Sequence, residues 1–238
     1  MKSNRAFLFV VILLALGTLA CSAVSNFIAT PTPVPTSTPL PTPTPLPTPT
    51  PVPSAALFEE TEFDRASCFP TNSSDDVERY SENGEFHMVV KTPNIIAWSV
   101  CEGNPFNDFV FEADATTLEG PEDNAFGVVF RYSDSTDEFY NFSISADGYY
   151  VLTLDGYNYE QPQFLVDWNT SSAINTGNET NRIKVVVVGD KIEYYVNDQL
   201  LGEVTDPNLD TGNVGFFASS FDAGGVHIKF DNLKISQP

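Results

Sequence analysis

The sequence predicts an all-β domain, built as a sandwich or barrel of antiparallel strands. Short apolar or alternating stretches recur along the chain after residue 80, and turn-forming residues separate them. The sequence holds no stretch that keeps the helical period of about 3.6 residues for three turns. Many short strands at even spacing are typical of sandwiches and barrels.

Alternation along the candidate strands assigns their side chains to the two faces of a sheet. Phe109, Phe111 and Ala113 alternate with Val110, Glu112 and Asp114, and are predicted to point into the core. The segments "RIKVVVV" and "KIEYYVN", joined by "GD", form a predicted hairpin. The predicted strands span residues 84–90, 94–100, 108–116, 125–132, 138–145, 149–154, 182–188, 191–197, 198–204, 213–220 and 225–235.

Aromatic doublets recur in three of these strands, at Tyr149–Tyr150, Tyr194–Tyr195 and Phe216–Phe217. Successive strand residues point to opposite faces, so each doublet is predicted to send one ring into the core and one to the outside. An outer face that carries several rings is either covered by loops or used for binding.

Residues 1–20 are predicted to be a targeting segment that precedes Cys21. Lys2 and Arg5 form a positive start, and the apolar run Ala6–Leu16 is too short for a comfortable membrane span. The segment resembles a bacterial lipoprotein signal, although Thr18 stands where that family usually has leucine. The resemblance implies acylation of Cys21 and an extracytoplasmic lipoprotein anchored to the membrane at the cell surface. An ordinary signal peptide cut nearby, or a retained membrane helix, is the alternative.

Residues 21–54 are predicted to form an extended linker. Between residues 30 and 53 nearly every second residue is proline, which fixes φ and lacks the N–H that helices and sheets need. At roughly 3.1 Å per residue, polyproline II geometry gives a semi-rigid spacer on the order of 70 Å long. A disordered linker is the alternative. Both imply that the folded domain, residues 55–238, is displayed outside the cell.

The chain is strongly acidic. Its formal net charge is −21 at pH 7, and removal of residues 1–20, which hold two positive and no negative charges, makes it −23. A field of this sign does not attract nucleic acid or anionic lipid. The charge is typical of a solvated exported domain, and it favours bound cations.

The sequence has three cysteines, and Cys21 is assigned to acylation. The other two, Cys68 and Cys101, would lie in an oxidising compartment and are predicted to form a disulfide. Two buried free thiols are the alternative. The separated cysteines, with His87 and His227, do not have the spacing of a metal site. Both histidines are interpreted as structural or exposed residues.

A family resemblance is carried by "DNAFGVVFRYSDSTDEFYNFSISADGYYVL", the hairpin "GDKIEYYVNDQLL" and the closing "FDNLKI". Together they resemble the concanavalin A-like lectin/glucanase superfamily, and most closely the laminin G-like domains and the domain type named for 3-keto-disaccharide hydrolases. The similarity covers about Phe58–Ile235. It implies a two-sheet antiparallel jelly roll, with one sheet curved into a concave face that commonly meets carbohydrate.

Alternation places several polar side chains on the non-core side of their strands. They are Glu112, Asp114, Arg131, Asn141 and Tyr149. On neighbouring strands these five residues would form a patch for an extracellular glycan, since a ring stacks on sugar C–H groups while amides and carboxylates take hydroxyls. A cross-strand salt bridge of Glu112 or Asp114 with Arg131 on a solvated sheet is the alternative.

Glycoside hydrolysis requires two positioned carboxylates. Glycanases of this fold that resemble family 16 carry acids at alternate positions of one strand, whereas here Glu112 and Asp114 are followed by Thr116. The row is therefore incomplete, and Glu112 and Asp114 are the only catalytic candidates.

The superfamily resemblance also implies a candidate structural Ca²⁺ site, for which Glu59 and Asp231 are acids that would meet if the chain ends pair. No other cofactor is expected.

Three functions follow from these observations. The leading hypothesis is a surface-anchored, non-catalytic glycan-binding module. A glycoside hydrolase and a protein-binding adhesion domain are the alternatives. The sequence does not specify the oligomeric state.

Overall fold

The computed structural model describes residues 55–64, 67–156 and 161–238. The predicted signal segment (residues 1–20) and the whole predicted linker (residues 21–54), including Cys21, lie outside these residues. The described residues form β-strands, turns and bends and include no helix. Among the described residues there is accordingly no helix that could cross a membrane.

Fifteen strands of the described chain form two antiparallel sheets, which confirms the predicted jelly-roll sandwich. The nine-stranded sheet has the order β13-β12-β11-β6-β15-β4-β3-β2, and β1 also pairs with β15. It contains β1 (Ala56–Glu60), β2 (Asn72–Ser73), β3 (Val77–Glu82), β4 (Glu85–Val90), β6 (Phe109–Glu119), β11 (Asn181–Val188), β12 (Lys191–Val196), β13 (Gln199–Thr205) and β15 (Val226–Ser236).

The six-stranded sheet has the order β10-β9-β8-β7-β14-β5. It contains β5 (Ile95–Phe106), β7 (Ala125–Tyr132), β8 (Phe139–Ser145), β9 (Tyr149–Asp155), β10 (Gln163–Thr170) and β14 (Gly212–Ser220).

The hydrophobic core lies between the two sheets and is rich in phenylalanine. Phe109 and Phe111 of β6 are fully buried there, as their alternation predicts. Phe216 of β14 stacks on Phe230 of β15 with ring centroids 4.2 Å apart, so this pair joins one sheet to the other. Aromatic side chains bury large areas and dominate core energetics, so these rings hold the sandwich together.

The aromatic doublets divide between the two faces as predicted. Phe216 belongs to the core, whereas Phe217 belongs to a second apolar cluster on the outer face of the six-stranded sheet. Tyr194 is buried in the core and Tyr195 is only partly buried. Tyr150 packs against the core and Tyr149 is exposed.

Arg131 departs from the predicted alternation. The register between β14 and β7 shifts between Asn213 and Gly215, and Arg131 has a positive φ of 52°. The resulting bulge turns the side chain inward, where it is 1% exposed. Its guanidinium donates hydrogen bonds to the carbonyl oxygens of Leu209, Asn107 and Gly189 at 2.6, 2.9 and 2.8 Å, and so ties three loops together. The prediction that Arg131 points away from the interior is therefore wrong.

Cys68 and Cys101 form a disulfide, which confirms the predicted pairing. It links the segment before β2 to β5, and the two residues are 33 positions apart in the sequence. Cys101 is 1% exposed, so the bridge lies against the core.

The two histidines form a pair on the outer face of the nine-stranded sheet. His87 Nδ1 lies 3.0 Å from His227 Nε2, and the hydroxyl of Tyr80 lies 3.2 Å from the same nitrogen. The Tyr80 ring stacks on the His87 ring at 4.7 Å. Burial lowers the pKa of both imidazoles, and the nearby His227 lowers that of His87 further.

The disulfide gives a testable prediction about stability. Because it closes a loop of 33 residues, replacement of both cysteines by serine should lower the free energy of unfolding by about 3–4 kcal/mol in the chain-entropy model. Urea denaturation of the full chain measures this loss. A reductant should destabilise the parent protein and leave the C68S/C101S variant unchanged. An unchanged urea midpoint in the variant would contradict the prediction.

The histidine pair gives a second prediction. The pKa of each imidazole is lower in the folded protein, so the unfolded chain binds protons first as the pH falls. The free energy of unfolding therefore has its full value above about pH 6.5 and decreases below it. The slope is at most about 1.4 kcal/mol per pH unit for each histidine. His227→Gln should flatten the dependence of the urea midpoint on pH between about pH 6.5 and 5. Tyr80→Phe keeps both histidines and is the control; equal slopes for His227→Gln and the parent would contradict the assignment.

Candidate functional site

The outer face of the six-stranded sheet forms a hollow. Its central strands β8 and β14 are buried at every position, although only one of their faces meets the core. Polar residues on the other face are buried too, with Asn141 at 4% and Thr153 at 4% exposure. These side chains therefore lie at the bottom of a depression between raised walls.

The main cavity of this hollow has a volume of about 290 Å³. Asn141, Thr153 and Phe217 contribute to its floor, on three different strands. Trp168 and Phe164 of β10 form one wall, and the opposite wall includes Ile96 of β5. The cavity therefore crosses the sheet from one edge strand to the other.

Apolar side chains are concentrated around the cavity. Ile96, Phe164 and Phe221 are 48%, 54% and 39% exposed, and all three line it. Trp168 meets Phe221 edge-to-face with ring centroids 6.3 Å apart, so the two walls come together at one end. Exposed apolar side chains grouped around a depression are typical of a binding site.

Two further hollows continue the cavity in both directions. Beyond Trp168 and Phe221 lies a hollow of about 170 Å³ that Tyr149 also lines. At the other end, Ile96 and Asp155 are shared with a hollow of about 290 Å³ beside Trp98. Together the three hollows form one elongated groove, which we call the sheet groove.

The polar groups of the sheet groove are few and specific. Asn141 Oδ1 accepts a hydrogen bond from the Ser143 hydroxyl at 2.7 Å. The Thr153 hydroxyl has no hydrogen-bond partner among the described residues. One carboxylate oxygen of Asp155 accepts the Gly156 N–H at 2.7 Å, and burial raises the pKa of this carboxyl. Rings and a few hydrogen-bonding groups can bind a molecule that has both C–H faces and hydroxyls.

The structure does not bring the five predicted ligand-binding residues together. Asn141 lies on the floor of the sheet groove, and Tyr149 lies at its end. Glu112 and Asp114 lie on β6, in the other sheet, and Arg131 points into the interior. The prediction of one shared patch is corrected, because outward-pointing residues on the two sheets face opposite sides of the sandwich. A ligand-binding role of the individual residues stays a prediction.

Glu112 and Asp114 lie outside the core, as predicted, and take part in cross-strand ion pairs. Arg182 of the neighbouring strand β11 approaches Glu112 at 3.6 Å and Asp114 at 3.7 Å. The alternative prediction, a salt bridge of Glu112 or Asp114 with Arg131, is wrong because Arg131 belongs to the other sheet, and Arg182 is the partner instead.

The candidate Ca²⁺ ligands lie where the chain ends pair. β1 runs beside β15 as expected, but Glu59 forms an ion pair with Lys234 at 3.4 Å and Asp231 accepts the Asn232 N–H at 2.7 Å. Within the described ranges, no group of three or more histidine, cysteine, aspartate or glutamate residues is arranged to hold a metal ion. The Ca²⁺ site stays a prediction.

Sequence reasoning missed most of the groove walls. Phe164 and Trp168 lie on β10, whose alternation is broken by register shifts between Phe164 and Val166 and between Val166 and Asn169. Asp155 was not singled out, because it lies at the end of a strand. The signals that do point to this face are the doublets containing Phe217 and Tyr149 and the outward position of Asn141.

Comparison with solved structures finds several domains of the same fold. A carbohydrate-binding module, CBM66 from Bacillus subtilis, is 15% identical with a TM-score of 0.56, covering 73% of this chain and 98% of the module. The catalytic domain of an endo-1,3-beta-glucanase (laminarinase) from Thermotoga petrophila RKU-1 is 10% identical with a TM-score of 0.55, covering 78% and 98%. A Bacillus subtilis protein with a galectin-like fold is 11% identical with a TM-score of 0.59, covering 77% and 96%. At these identities the likeness shows the fold alone.

Comparison with curated proteins gives no match. A family model does match, and it spans nearly all of the described domain. The protein therefore belongs to the family of the 3-keto-alpha-glucoside-1,2-lyase-like domain, whose model covers residues 58–236.

Proposed function

We propose that the protein binds extracellular glycans in the sheet groove, as a non-catalytic module. The observation that supports this most directly is the elongated groove with aromatic walls and a partly polar floor. Sugar rings offer C–H faces to aromatic side chains and hydroxyls to amide, hydroxyl and carboxylate groups. Trp168 and Phe221 supply the rings, and Asn141, Thr153 and Asp155 supply the polar groups.

The comparisons support a carbohydrate ligand in general terms. One structural neighbour is a carbohydrate-binding module and another is a laminarinase, while the family is named for an enzyme that acts on glucosides. Binding rather than cleavage is favoured by the position of Glu112 and Asp114. These acids lie on the sheet opposite the groove and are paired with Arg182.

Glycan binding is tested with the full chain against laminarin, dextran and xylan. We expect binding without release of reducing ends. Trp168→Ala and Phe221→Ala should each weaken binding about tenfold or more, because truncation of a central aromatic anchor costs about 2 kcal/mol. Tyr195→Ala, on the outer face of the other sheet, is the matched control. Isothermal titration calorimetry and a reducing-sugar assay are the measurements.

The possible outcomes separate the candidate functions. Loss of binding in Glu112→Gln, with Trp168→Ala unaffected, would place the site on the other sheet. Release of reducing ends that Asp155→Asn or Glu112→Gln abolishes would identify a hydrolase. Absence of binding to any glycan in a wider array would favour a protein-binding adhesion domain.

We also propose that the domain is displayed at the bacterial cell surface through an acylated Cys21. This rests on the sequence of residues 1–53, in which an apolar segment leads to Cys21 and a Pro/Thr-rich stretch follows. Two or more acyl chains anchor a protein stably, whereas one alone binds marginally. A spacer on the order of 70 Å would hold the groove away from the lipid surface.

Anchoring is tested by Cys21→Ser in a bacterial host that processes lipoproteins. We expect the parent protein in the membrane fraction and the variant in the soluble extracytoplasmic fraction, because the variant has no acceptor for acyl chains. Immunoblotting of the fractions measures this. C68S/C101S, which removes the other two cysteines, is the control and should stay in the membrane fraction. A Cys21→Ser chain that remains membrane-bound would contradict lipid anchoring.

A further inference from the structure

The end of the sheet groove beside Trp98 combines an aromatic ring with two carboxylates. Trp98, Asp137, Phe139 and Asp155 line this hollow of about 290 Å³. Phe139 and Asp155 are directly opposite each other on β8 and β9, and Asp137 lies two residues before Phe139. The Trp98 and Phe139 rings are 5.2 Å apart, and Phe139 is buried, so Trp98 presents the accessible ring.

Each carboxylate of this hollow has one oxygen engaged by the protein. The Tyr132 hydroxyl donates to Asp137 Oδ1 at 2.5 Å, and the Gly156 N–H donates to Asp155 Oδ1 at 2.7 Å. The second oxygen of each carboxylate has no hydrogen-bond or ion-pair partner among the described residues. An ionised carboxylate only accepts hydrogen bonds, so the group that binds here must donate. Two neighbouring hydroxyls of a sugar meet this requirement.

Among the described residues, no positively charged side chain lines the sheet groove. Three hollows of the sheet groove are lined by Asp123, Asp137, Asp147 and Asp155 and by no lysine or arginine of the described chain. Arg79 lines a separate hollow on the other side of Trp98. Its guanidinium already donates to the Trp98 carbonyl oxygen at 3.1 and 2.8 Å and to Asn72 Oδ1 at 3.0 Å.

An anionic ligand would lose its hydration in this groove without gaining a cationic partner. It would also approach four aspartates on a chain of net charge −21. An uncharged sugar has neither cost. A protein can achieve specificity by repelling the wrong ligand as well as by attracting the right one.

We propose that the hollow formed by Trp98, Asp137 and Asp155 is a subsite for an uncharged sugar, which stacks on Trp98 and donates two neighbouring hydroxyls to the two carboxylates. The subsite rests on the proposed glycan-binding function, and it makes the sheet groove selective for neutral over anionic glycans. Burial that raises the pKa of Asp155 without a cationic partner is consistent with a carboxyl that faces a ligand.

The test compares neutral polysaccharides with their carboxymethylated derivatives. Laminarin, dextran and xylan are titrated into the full chain, each beside its derivative, at low salt, with and without EDTA. We expect carboxymethylation to weaken binding about tenfold or more, and salt to reduce this difference because it screens exposed charges. Asp137→Asn and Asp155→Asn should each weaken binding of the neutral polymer about tenfold, since each removes a charge-assisted hydrogen bond.

A stability measurement separates a ligand-facing role from a structural one. Asp155→Asn removes a half-buried carboxylate without an ion partner, so its urea midpoint should equal or exceed that of the parent protein. A structural role would lower both the midpoint and the affinity. Glu193→Gln, which lies on the other sheet beside Lys191, is the control and should leave glycan affinity unchanged.

Three results would overturn the subsite. They are equal or tighter binding of the carboxymethylated polymers, unchanged neutral binding in both aspartate variants, and binding that EDTA abolishes. The first two leave glycan binding itself intact, and the third points to a bound cation. Absence of binding to every polymer would remove the proposed function and the subsite together.

Discussion

Burial of the central strands of the six-stranded sheet on both faces is the constraint on which the rest of the structure depends. One face packs against the nine-stranded sheet through residues such as Phe142 and Phe216, and the other lies at the bottom of the sheet groove. Both faces of a strand are apolar only if successive residues are apolar, and "AFGVVF" of β7 and "VGFFA" of β14 meet this condition. On β6, by contrast, Phe109 and Phe111 alternate with half-buried residues, because only one face of that strand is dry. A run of consecutive apolar residues therefore indicates a strand buried on both faces, and alternation indicates a strand buried on one face.

Charge is divided between the sheets in the same way. On the nine-stranded sheet, acids are matched by cations, as in the pairs of Arg182 with Glu112 and of Lys229 with Glu85. The described lysines and arginines lie on or beside that sheet, except for Arg131, whose side chain is enclosed by loops. No described lysine or arginine therefore lines the groove beside its acids. Exposed ion pairs contribute little to the free energy of unfolding. This division of charge therefore affects which charged ligands each face repels more than it affects the stability of the domain.

Much of the fold follows from the sequence, because alternation, turn residues and aromatic doublets are local signals. They gave eleven of the strands, the inward direction of Phe109 and Phe111, and the division of Phe216 from Phe217. Two kinds of feature were out of reach. The first is a bulge, which reverses the alternation of a strand without a signature in composition. The bulge between β7 and β14 turns Arg131 inward, and the register shifts between β9 and β10 break the alternation from which β10 could be predicted. Alternation also states only that a side chain leaves the core, so it could not separate Glu112 on one sheet from Asn141 on the other.

The sheet groove lowers the stability of the free domain. Ile96, Phe164 and Phe221 keep large apolar areas in contact with water, and burial of such surface is worth roughly 25 cal/mol for each Å². Asp155 adds a half-buried carboxyl whose charged form is disfavoured. Packing these side chains down, or replacing Asp155 with a neutral residue, would relieve both costs without any change to the core between the sheets. Neither feature stabilises the free domain, whereas a sugar bound as proposed would cover the rings and donate hydrogen bonds to the carboxylate, so the complex would offset both costs.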